Sequence, residues 1–515
     1  MVARRHDVFN KESRSTNVKR NMLVGGLSVA IPTLLVFISR KVFLDTLNLQ
    51  YLGLSETFTS ILGSLALTEM GFQAAILYNL YKPIQDNDID KVNRLINILR
   101  IIFNYIGLIF IVVPILLLPF IGYLLKGVDV SNSVRIYFIL IALSSAITYF
   151  LSYPRCLLQA DQKEYIIKST DLVIQIVFVG LQIVVLLVWK SFVLYLTLNI
   201  FRNVCSNLLI HLYCKEKYTF LHKVPFDKLL FKNIWSNTKN IFVGRMAGVV
   251  YSSIDNILIS TFISTVAVGS FANYSTVSTM IKAACYRLFP IGSIIGNMLA
   301  DESQDVKHSE LIFRVYTVAK SITANIILIP LLLLFNPFIS IWLGKEYLFS
   351  EHVVFLVIFD MYAFFLTNPV GDFIFARGLF KQDKKITLIG LVVNAFFSLI
   401  LIHFFGIIGV LLGTAISQIV IWVGRCRILY RYIFVEKEML RRYILTQLFY
   451  MMVFVVSYIL TEYFIEFLGI TYTNYLLLFS VGSCVVVFVM LLTALSYHRI
   501  EEYRYLMAKI MKRKQ

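Results

Sequence analysis

Apolar segments separated by short polar loops follow one another along the whole chain. Fourteen of them reach the length of about twenty residues that a helix needs to cross a bilayer. They are predicted at residues 22–43, 56–80, 101–125, 136–157, 167–188, 192–213, 241–262, 268–298, 315–342, 352–375, 386–404, 406–424, 444–468 and 473–497. The junctions Trp189-Lys190-Ser191 and Phe405-Gly406 are so short that their flanking segments are predicted to form helical hairpins. The pattern predicts an all-α polytopic membrane protein.

Composition agrees with this pattern and excludes other classes. Of the 515 residues, 58% are hydrophobic and 15% are charged, whereas a soluble chain carries about 25% charged residues. Mean hydropathy is +0.76. A soluble enzyme and a disordered chain are therefore excluded, and the apolar runs are too long for the alternating strands of an outer-membrane barrel.

The net charge of +18 is distributed unevenly around the apolar segments. Of the 48 lysines and arginines, 38 fall in the two termini and every second loop, six in the alternate loops and four inside predicted helices. The positive-inside rule then places both termini in the cytoplasm, which requires an even number of spans. The excess charge is expected to contact anionic lipid rather than nucleic acid. The first apolar segment follows a basic tail without a small-residue cleavage site, so we expect it to be retained.

Motifs of catalysis and metal binding do not occur. The loops contain no Gly-rich phosphate loop and no paired-carboxylate cluster, and every outer loop is too short to hold an active site. The six cysteines show no CxxC or Cys/His spacing, so neither a metal site nor a disulfide is expected. We therefore expect a transporter rather than an enzyme.

Three pairs of short stretches suggest an internal duplication. NVKRNMLVGGLSVA (17–30) is similar to NTKNIFVGRMAGVV (237–250), LLLPFIGYLLKG (116–127) to LFNPFISIWLGK (334–345), and QADQKEYII (159–167) to LFKQDKKIT (379–387). Their shared offset covers six predicted helices, an even number, so the two copies are predicted to have the same orientation in the membrane. Within the second copy, Gly409 and Gly413 form a GxxxG spacing that predicts close packing of the twelfth helix.

The repeat predicts the organisation of the chain. We expect a basic cytoplasmic tail at 1–20, an N-lobe of six spans at 21–214, an amphipathic basic linker at 215–239, a C-lobe of six spans at 240–430, two further spans at 431–497 and a second basic tail at 498–515. The linker is predicted to lie as a helix on the anionic inner leaflet.

Several stretches in both halves resemble one known family. FISRKVFLDTLNLQYLGLSETFTSILGSLALTEMGFQAAILYNLYKPI (37–84), SSIDNILISTFISTVAVGSFANYSTV (252–277), IGNMLADES (295–303), NPFISIWLGKEYL (336–348), ARGLFKQDKK (376–385) and FGIIGVLLGTAIS (405–417) carry the similarity. They resemble the bacterial polysaccharide-biosynthesis flippases of the multidrug/oligosaccharidyl-lipid/polysaccharide superfamily, from residue 17 to residue 435. The last two predicted helices add little to this resemblance.

The resemblance implies a function, a location and partners. Such proteins flip undecaprenyl-diphosphate-linked oligosaccharide units of O-antigen lipopolysaccharide, capsule or exopolysaccharide across the bacterial cytoplasmic (inner) membrane. Alternating access of two lobes around a cationic cavity is the implied mechanism. Implied partners are the lipid-linked oligosaccharide, membrane lipids, and the polysaccharide polymerase and chain-length machinery. No cofactor is expected, and coupling to a Na⁺ or H⁺ gradient stays open.

Cationic residues within the predicted helices are candidates for binding the cargo phosphates. Arg202 and Arg287 are nearest the middle of their spans, while Arg245, Lys282 and Arg40 lie closer to span ends. Arginine suits phosphate because its guanidinium presents a fork of donors. The competing interpretations are an interhelical ion pair for the first two, and snorkelling or interfacial anchoring for the others.

Carboxylates within the predicted helices have two possible roles. Glu69, Asp255 and Asp360 are predicted either to bind a coupling ion or to neutralise a cation, and Asp255 with Arg287 is the favoured pair. Asp171, near the cytoplasmic end of its span, is expected to be solvated.

Two alternative functions stay open. A multidrug or cation antiporter of the same superfamily would depend more on buried carboxylates and normally has twelve helices. A membrane enzyme of glycan assembly is disfavoured by the missing large loop.

Overall fold

The apolar segments are helices in a computed structural model of the chain, which describes residues 14–65, 69–288, 306–434, 437–469, 472 and 474–512. These described ranges form eighteen α-helices joined by short turns, and they contain no β-strand. The chain is therefore an all-helical protein, as its hydrophobic pattern predicts.

The helices follow one another along the chain with few long connections. They are α1 (Arg14–Thr46), α2 (Leu49–Leu65), α3 (Glu69–Gln85), α4 (Ile89–Leu117), α5 (Ile121–Leu124), α6 (Asn132–Phe150), α7 (Tyr153–Ala160), α8 (Glu164–Trp189), α9 (Phe192–Lys217), α10 (Lys228–Leu258), α11 (Thr265–Leu288), α12 (Val306–Trp342), α13 (Glu351–Ala376), α14 (Phe380–Phe405), α15 (Ile407–Tyr432), α16 (Lys437–Leu468), α17 (Tyr475–Tyr497) and α18 (Glu501–Lys512). Both predicted hairpins are present, because α8 and α9, and likewise α14 and α15, are joined by very short turns.

Twelve helical stretches of the described residues are long and apolar enough to cross a membrane. Each coincides with a predicted span, and the two remaining predictions are 56–80 and 268–298. The segment 56–80 falls on α2 and α3, on either side of residues 66–68, and 268–298 falls on α11 and part of 289–305. Residues 66–68 and 289–305 lie outside the described ranges. The chain is a multi-pass membrane protein with roughly 12–14 transmembrane helices.

Prolines coincide with interruptions in two of the predicted spans. A 3₁₀ turn at Leu118–Phe120, which contains Pro119, separates α4 from α5. Between α6 and α7 the helix stops, and Pro154 lies in the first turn of α7. Proline has no N–H to donate, so it fits the first turn of a helix and disrupts its interior.

The basic linker at 215–239 is helical only at its two ends, unlike the single amphipathic helix predicted for it. Residues 218–227 form a turn and extended chain between α9 and α10. Pro225 opposes a continuous helix because its ring excludes helical geometry at the preceding residue. Asp227 then caps α10 by accepting a hydrogen bond from the N–H of Leu230 at 2.9 Å. This bond lowers the pKa of the Asp227 carboxyl.

Two asparagines of α4 hold the extended part of the linker. Nδ2 of Asn97 donates to the carbonyl of Val224 at 2.6 Å, and Nδ2 of Asn93 donates to the carbonyl of Phe220 at 3.0 Å. Both asparagines are buried. The linker is therefore fixed by specific side chains, because its own backbone groups are not paired within a helix.

The first compact unit comprises Met1–Gly269. In it α8 packs against α1 and α9, α6 packs against α4 and α9, and α10 packs against α2 and α3. Helix α10, which the sequence repeat assigns to the second lobe, thus has its main neighbours in the first unit. The predicted lobe boundaries stay a prediction.

The second compact unit comprises Ser270–Gln515 and is arranged around α12. Helices α13, α16, α17 and α18 all pack on α12. Tyr450 of α16 and Tyr497 of α17 are almost fully buried beside Val318 of α12, and the Tyr497 hydroxyl lies 2.7 Å from Oγ of Ser321. The two additional spans are therefore part of the core of this unit.

One local feature recurs in both units. The turn between α7 and α8 and the turn between α13 and α14 each contain one residue with positive φ, Gln162 at 60° and Gly378 at 68°. In each turn the following N–H donates to a carbonyl five residues earlier, at 2.8 and 3.1 Å. The turn between α3 and α4 has the same geometry, with Asn87 at φ 54° and the N–H of Asp88 donating to the carbonyl of Pro83 at 2.9 Å. The feature is therefore not specific to the repeat, and the duplication stays a prediction.

Candidate functional site

A polar stripe runs along one face of α9. Asn199, Arg202, Asn203, Ser206 and Asn207 recur at intervals of three and four residues, which places them on the same side of the helix. The exposed apolar side chains of the same helix include Phe201, Leu208, Leu209 and Leu212. In a helix that crosses a membrane, such a polar face turns towards protein or water rather than lipid.

Neighbouring helices supply polar partners for this stripe. Nδ2 of Asn203 donates to Oγ of Ser144 on α6 at 3.0 Å. Nε2 of Gln182 on α8 donates to Oδ1 of Asn199, also at 3.0 Å. The groove between α6, α8 and α9 is thus held by hydrogen bonds between side chains.

Arg202 lines a cavity of about 400 Å³ in this groove. Nine of the ten residues that line it are polar or charged, and the exception is Ile174. Its lining residues are Thr148, Ser152, Arg155, Asp171, Ile174, Gln175, Arg202, Asn203, Ser206 and Asn207. Donors and acceptors of this density suit a hydrophilic ligand such as a phosphate or a sugar.

The single carboxylate in this cavity is already engaged. Arg155 forms a two-pronged ion pair with Asp171, with Nη1···Oδ2 at 2.8 Å and Nη2···Oδ1 at 2.9 Å. The Ser206 hydroxyl also donates to Asp171, and Nε of Arg155 donates to Asn207 at 2.8 Å. Asp171 was expected to be solvated, and 42% of its side chain is indeed exposed, but it is also the centre of a network that the sequence did not predict. With Arg202 as a second cation beside it, the cavity carries a net positive charge.

Arg40 lies in the same unit and has its own counter-ion. Its Nη2 is 3.2 Å from Oε1 of Glu56 on α2, and its side chain is 12% exposed. Tyr195 of α9 interacts electrostatically with Arg40, Glu56 and Arg202. The structure therefore brings two of the predicted cations, Arg40 and Arg202, close to one tyrosine.

In the second unit, two predicted residues form an ion pair with each other. Lys282 of α11 binds Oδ2 of Asp360 on α13, and Nε2 of Gln418 donates to Oδ1 of Asp360 at 3.2 Å. The Lys282 ammonium lies 6.0 Å from the centroid of the Phe364 ring. The two side chains are 26% and 29% exposed, so water still reaches the pair.

A buried lysine in the second unit is absent from the sequence predictions. Lys320 of α12 is 1% exposed, and its Nζ lies 5.4 Å from the centroid of the Tyr316 ring. The Tyr316 hydroxyl donates to Asp372 at 2.7 Å and contacts Asn368 at 3.1 Å. Asp372 also interacts with Lys320, so this cluster holds one cation and one carboxylate within the core.

Four predicted site residues belong to none of the cavities and ion pairs described above. Arg245 is an exposed residue of α10, and Asp255 lies partly buried on the same helix. Glu69 and Arg287 lie within α3 and α11, but their side chains are outside the described part of the structure. The favoured pair of Asp255 with Arg287 therefore stays a prediction.

Sequence reasoning missed Arg155 and Lys320 as site residues because of their positions near span ends, and it assigned Asp171 to solvent. Arg155 and Lys320 lie near the ends of predicted spans and were counted with the basic inner loops, whereas the helices continue around them. The polar spacing on α9 was the signal available, since Asn203, Ser206 and Asn207 follow Arg202 at helical intervals within an apolar segment.

The fold defines an all-helical, multi-pass membrane protein. The family model of "Polysaccharide biosynthesis protein" matches residues 18–287, just over half of the chain, and the chain belongs to this family.

One curated relative and three solved structures show further similarity. An uncharacterized membrane protein of Methanocaldococcus jannaschii is 26% identical over 208 residues, which is 39% of this chain and 40% of that protein, so the match spans well under half of the relative. A structure of the lipid II flippase MurJ in an inward closed conformation superposes with a TM-score of 0.63 at 14% identity, over 90% of this chain and 98% of that chain. A Vibrio cholerae MATE transporter gives 0.56 at 14% identity, over 82% and 99%. An inward-facing multidrug resistance MATE family transporter of the MOP superfamily gives 0.55 at 15% identity, over 76% and 94%. At these identities the three structures share the fold of this chain.

Proposed function

We propose that this protein is a flippase that moves lipid-linked oligosaccharides, carried on a diphosphate, across a bacterial cytoplasmic membrane for surface polysaccharide assembly. Its family and its fold support transport in polysaccharide synthesis. The observation that carries the proposal is the cavity of Arg202, which combines excess positive charge with a polar lining inside a helical membrane protein.

The chemistry of the cargo explains why such a cavity is needed. A diphosphate and several sugars have to cross about 30 Å of hydrocarbon while the lipid tail stays in the bilayer. Arg202 offsets lost phosphate hydration with charge-assisted hydrogen bonds. The amides and hydroxyls of Gln175, Asn203 and Thr148 are suited to sugar hydroxyls. An apolar drug would make little use of this lining.

The mechanism and energy source belong to the same proposal. We infer alternating access of two lobes, driven by a Na⁺ or H⁺ gradient, with Asp360 as the coupling carboxylate. The pairing of Asp360 with Lys282 supports this role, because binding a cation at the carboxylate would release the ammonium and change the local charge balance.

The test is flipping in proteoliposomes that contain undecaprenyl-diphosphate oligosaccharide. Membrane-impermeant periodate oxidises only the sugars exposed outside, so the protected fraction reports flipping. Arg202→Gln should slow flipping about tenfold or more, since each charge-assisted hydrogen bond contributes about 1.5–3 kcal/mol. Arg202→Lys should retain part of the activity because the charge remains while the fork of donors is lost.

Arg135→Gln, at an exposed position of α6 outside the cavity, is the matched control and should flip at the unaltered rate. Equal rates for Arg202→Gln and Arg135→Gln would contradict the role of the cavity. Transport of a cationic drug in the same vesicles, without any flipping of the glycolipid, would instead identify a multidrug antiporter.

A further inference from the structure

A second cavity of about 400 Å³ lies in the first unit, under the extended part of the linker. It is enclosed by α4, α7, α9 and linker residues 218–223. Arg100, Lys215 and Lys223 line it, together with His211 and His222. None of its fourteen lining residues, all of them in the described part of the chain, is acidic.

The cations reach this cavity from separate elements, and Arg100 among them is held in place, whereas Lys215 and Lys223 are exposed. Arg100 comes from α4, where its Nη2 donates to Oδ1 of Asn97 at 2.5 Å, and Tyr153 of α7 lies within its electrostatic range. The ring of Tyr153 packs edge-on against His211 of α9, with centroids 5.8 Å apart. The hydrogen bond to Asn97 thus holds the Arg100 guanidinium, and the Tyr153 ring packs beside the His211 imidazole.

The linker side of the cavity is equally well fixed. The backbone N–H of His222 donates to Oδ1 of Asn93 at 3.2 Å. The hydroxyl of the buried Tyr218 donates to Asp161 at 2.6 Å, and Lys163 pairs with the same Oδ2 at 2.6 Å. The carboxylate of Asp161 is thus committed elsewhere and does not line the cavity, so the charges of Arg100 and the two lysines are left uncompensated there.

The charges that line this cavity have no counter-ion within it. Three cations approach it from α4, the end of α9 and the linker, and none of the lining residues is acidic. Cations brought together without an anion indicate that the cavity is suited to an anionic ligand.

We propose that this cavity is a binding site for a phosphate-bearing anion, presented either by the headgroup of an anionic phospholipid or by a soluble diphosphate. Its volume accommodates a phosphate with a small substituent. The guanidinium of Arg100, the ammonium groups of Lys215 and Lys223 and the hydroxyls of Tyr153 and Thr219 are the donors that a tetrahedral oxyanion needs. The site is distinct from the cavity of Arg202 and does not depend on the proposed cargo.

A solvated basic surface is the simpler alternative, and the geometry argues against it. On such a surface neither the guanidinium nor the backbone would be anchored, whereas here the Arg100 guanidinium is hydrogen-bonded to Asn97 and the linker backbone is fixed. Asn93 and Asn97 hold the linker over the cavity through hydrogen bonds of 3.0 and 2.6 Å.

The experiment uses the purified full-length protein in two kinds of nanodisc. In discs of phosphatidylcholine with phosphatidylglycerol, native mass spectrometry counts the phosphatidylglycerol molecules that stay bound. In discs of phosphatidylcholine alone, calorimetry measures the binding of inorganic pyrophosphate. The variant Lys215→Gln/Lys223→Gln changes two exposed side chains, so we expect it to fold, and we expect at least about tenfold weaker binding.

The control is Lys228→Gln/Lys232→Gln, two exposed lysines at the start of α10 that do not line the cavity. It removes the same charge and should change binding less than twofold. Thr219→Glu places a negative charge at the rim and should abolish binding independently of the lysines.

The outcomes distinguish the two sources of phosphate. If Lys215→Gln/Lys223→Gln loses bound phosphatidylglycerol and the control does not, the ligand is a lipid headgroup. If the same variant loses pyrophosphate binding and the control does not, the ligand is a soluble anion. Equal weakening in the variant and the control would show a diffuse charge effect and overturn the proposal, as would tight binding by Thr219→Glu or the absence of any binding by the unaltered protein.

Discussion

Asp360 and Lys282 show how strongly single charges constrain a membrane-embedded chain. Each lies in a helix of the second unit, and each would be costly there without the other. Gln418 adds a hydrogen bond to the second oxygen of Asp360 at 3.2 Å. The carboxylate therefore has two partners and partial access to water, which is what a reversible cation-binding group requires.

Asp360→Asn should remove the dependence of flipping on an imposed ion gradient and slow it about tenfold. The neutral amide still fits the site and accepts a hydrogen bond from Lys282, but it no longer binds Na⁺ or H⁺. Flipping rates in proteoliposomes with and without a Na⁺ or pH gradient measure this effect.

The matched control is Asp383→Asn, which breaks the ion pair of Asp383 with Arg425, in which Nε lies 2.8 Å from Oδ1. Asp383 is 7% exposed in its side chain, so this variant should lower the apparent melting temperature without changing the gradient response. The double variant Lys282→Gln/Asp360→Asn removes the charge imbalance. If it still responds to the gradient, Asp360 is a structural partner of Lys282 and not the coupling group.

Charged site residues in the middle of apolar segments can be recognised from the sequence, whereas those near segment ends cannot. Arg202 stands alone in an apolar run, so its exceptional position is visible in the sequence. Arg155 and Lys320 adjoin polar loops, and their burial depends on neighbouring helices that no local pattern reveals. The pairing of Lys282 with Asp360 likewise depends on tertiary packing across 78 positions of sequence.

At the scale of elements, the sequence predicts the close packing of one helix pair, the hairpin of α14 and α15. A Cβ on Gly409 would collide with the backbone of Leu401, and a Cβ on Gly413 would lie 2.6 Å from the backbone nitrogen of Ser398. The predicted role of the GxxxG spacing in close packing is confirmed. Asn394 reinforces the contact by donating to Thr414 at 2.8 Å.

Gly413→Ala should destabilise the protein by about 1–3 kcal/mol, because the added methyl group meets backbone that has to move. The apparent melting temperature in detergent should fall accordingly. Gly180→Ala in α8 is the matched control, since nothing lies within 4 Å of its Cβ position. Alanine there should be neutral or slightly stabilising, by about 0.5–1 kcal/mol, through its better helix propensity. Equal melting temperatures for the two variants would contradict the close packing of this hairpin.

Element types were predictable because apolar length alone identifies spanning helices, but their interruptions were not. The break between α6 and α7 and the extended linker depend on where Pro154 and Pro225 fall relative to helix ends. The linker conformation also depends on Asn93 and Asn97, which lie more than a hundred residues earlier in the chain. The single helix predicted for the linker is therefore wrong at 218–227 and present at its two ends.

At the scale of the molecule, the charge asymmetry is the property that the sequence reveals best. The termini and the loops predicted to be cytoplasmic carry 38 of the 48 basic residues, and this prediction needs no knowledge of packing. The cavity of Arg202 illustrates the opposite limit. Its charge is a small local imbalance formed by residues of three helices, so it vanishes from any count along the chain.

The predicted orientation in the membrane can be measured with single cysteines. The six native cysteines are first replaced by serine, and one exposed lysine is then changed to cysteine: Lys190 in the α8–α9 turn, Lys345 before α13, or Lys381 in the first turn of α14. The positive-inside rule puts Lys190 and Lys345 outside and Lys381 inside. A membrane-impermeant maleimide should label Lys190→Cys and Lys345→Cys in intact cells, and Lys381→Cys only after permeabilisation.

Because Lys190 and Lys381 are separated by an odd number of predicted spans, labelling of both from the same side would show that a predicted span does not cross the membrane. Inverted labelling of all three would refute the cytoplasmic termini, and with them the placement of the basic linker against the inner leaflet.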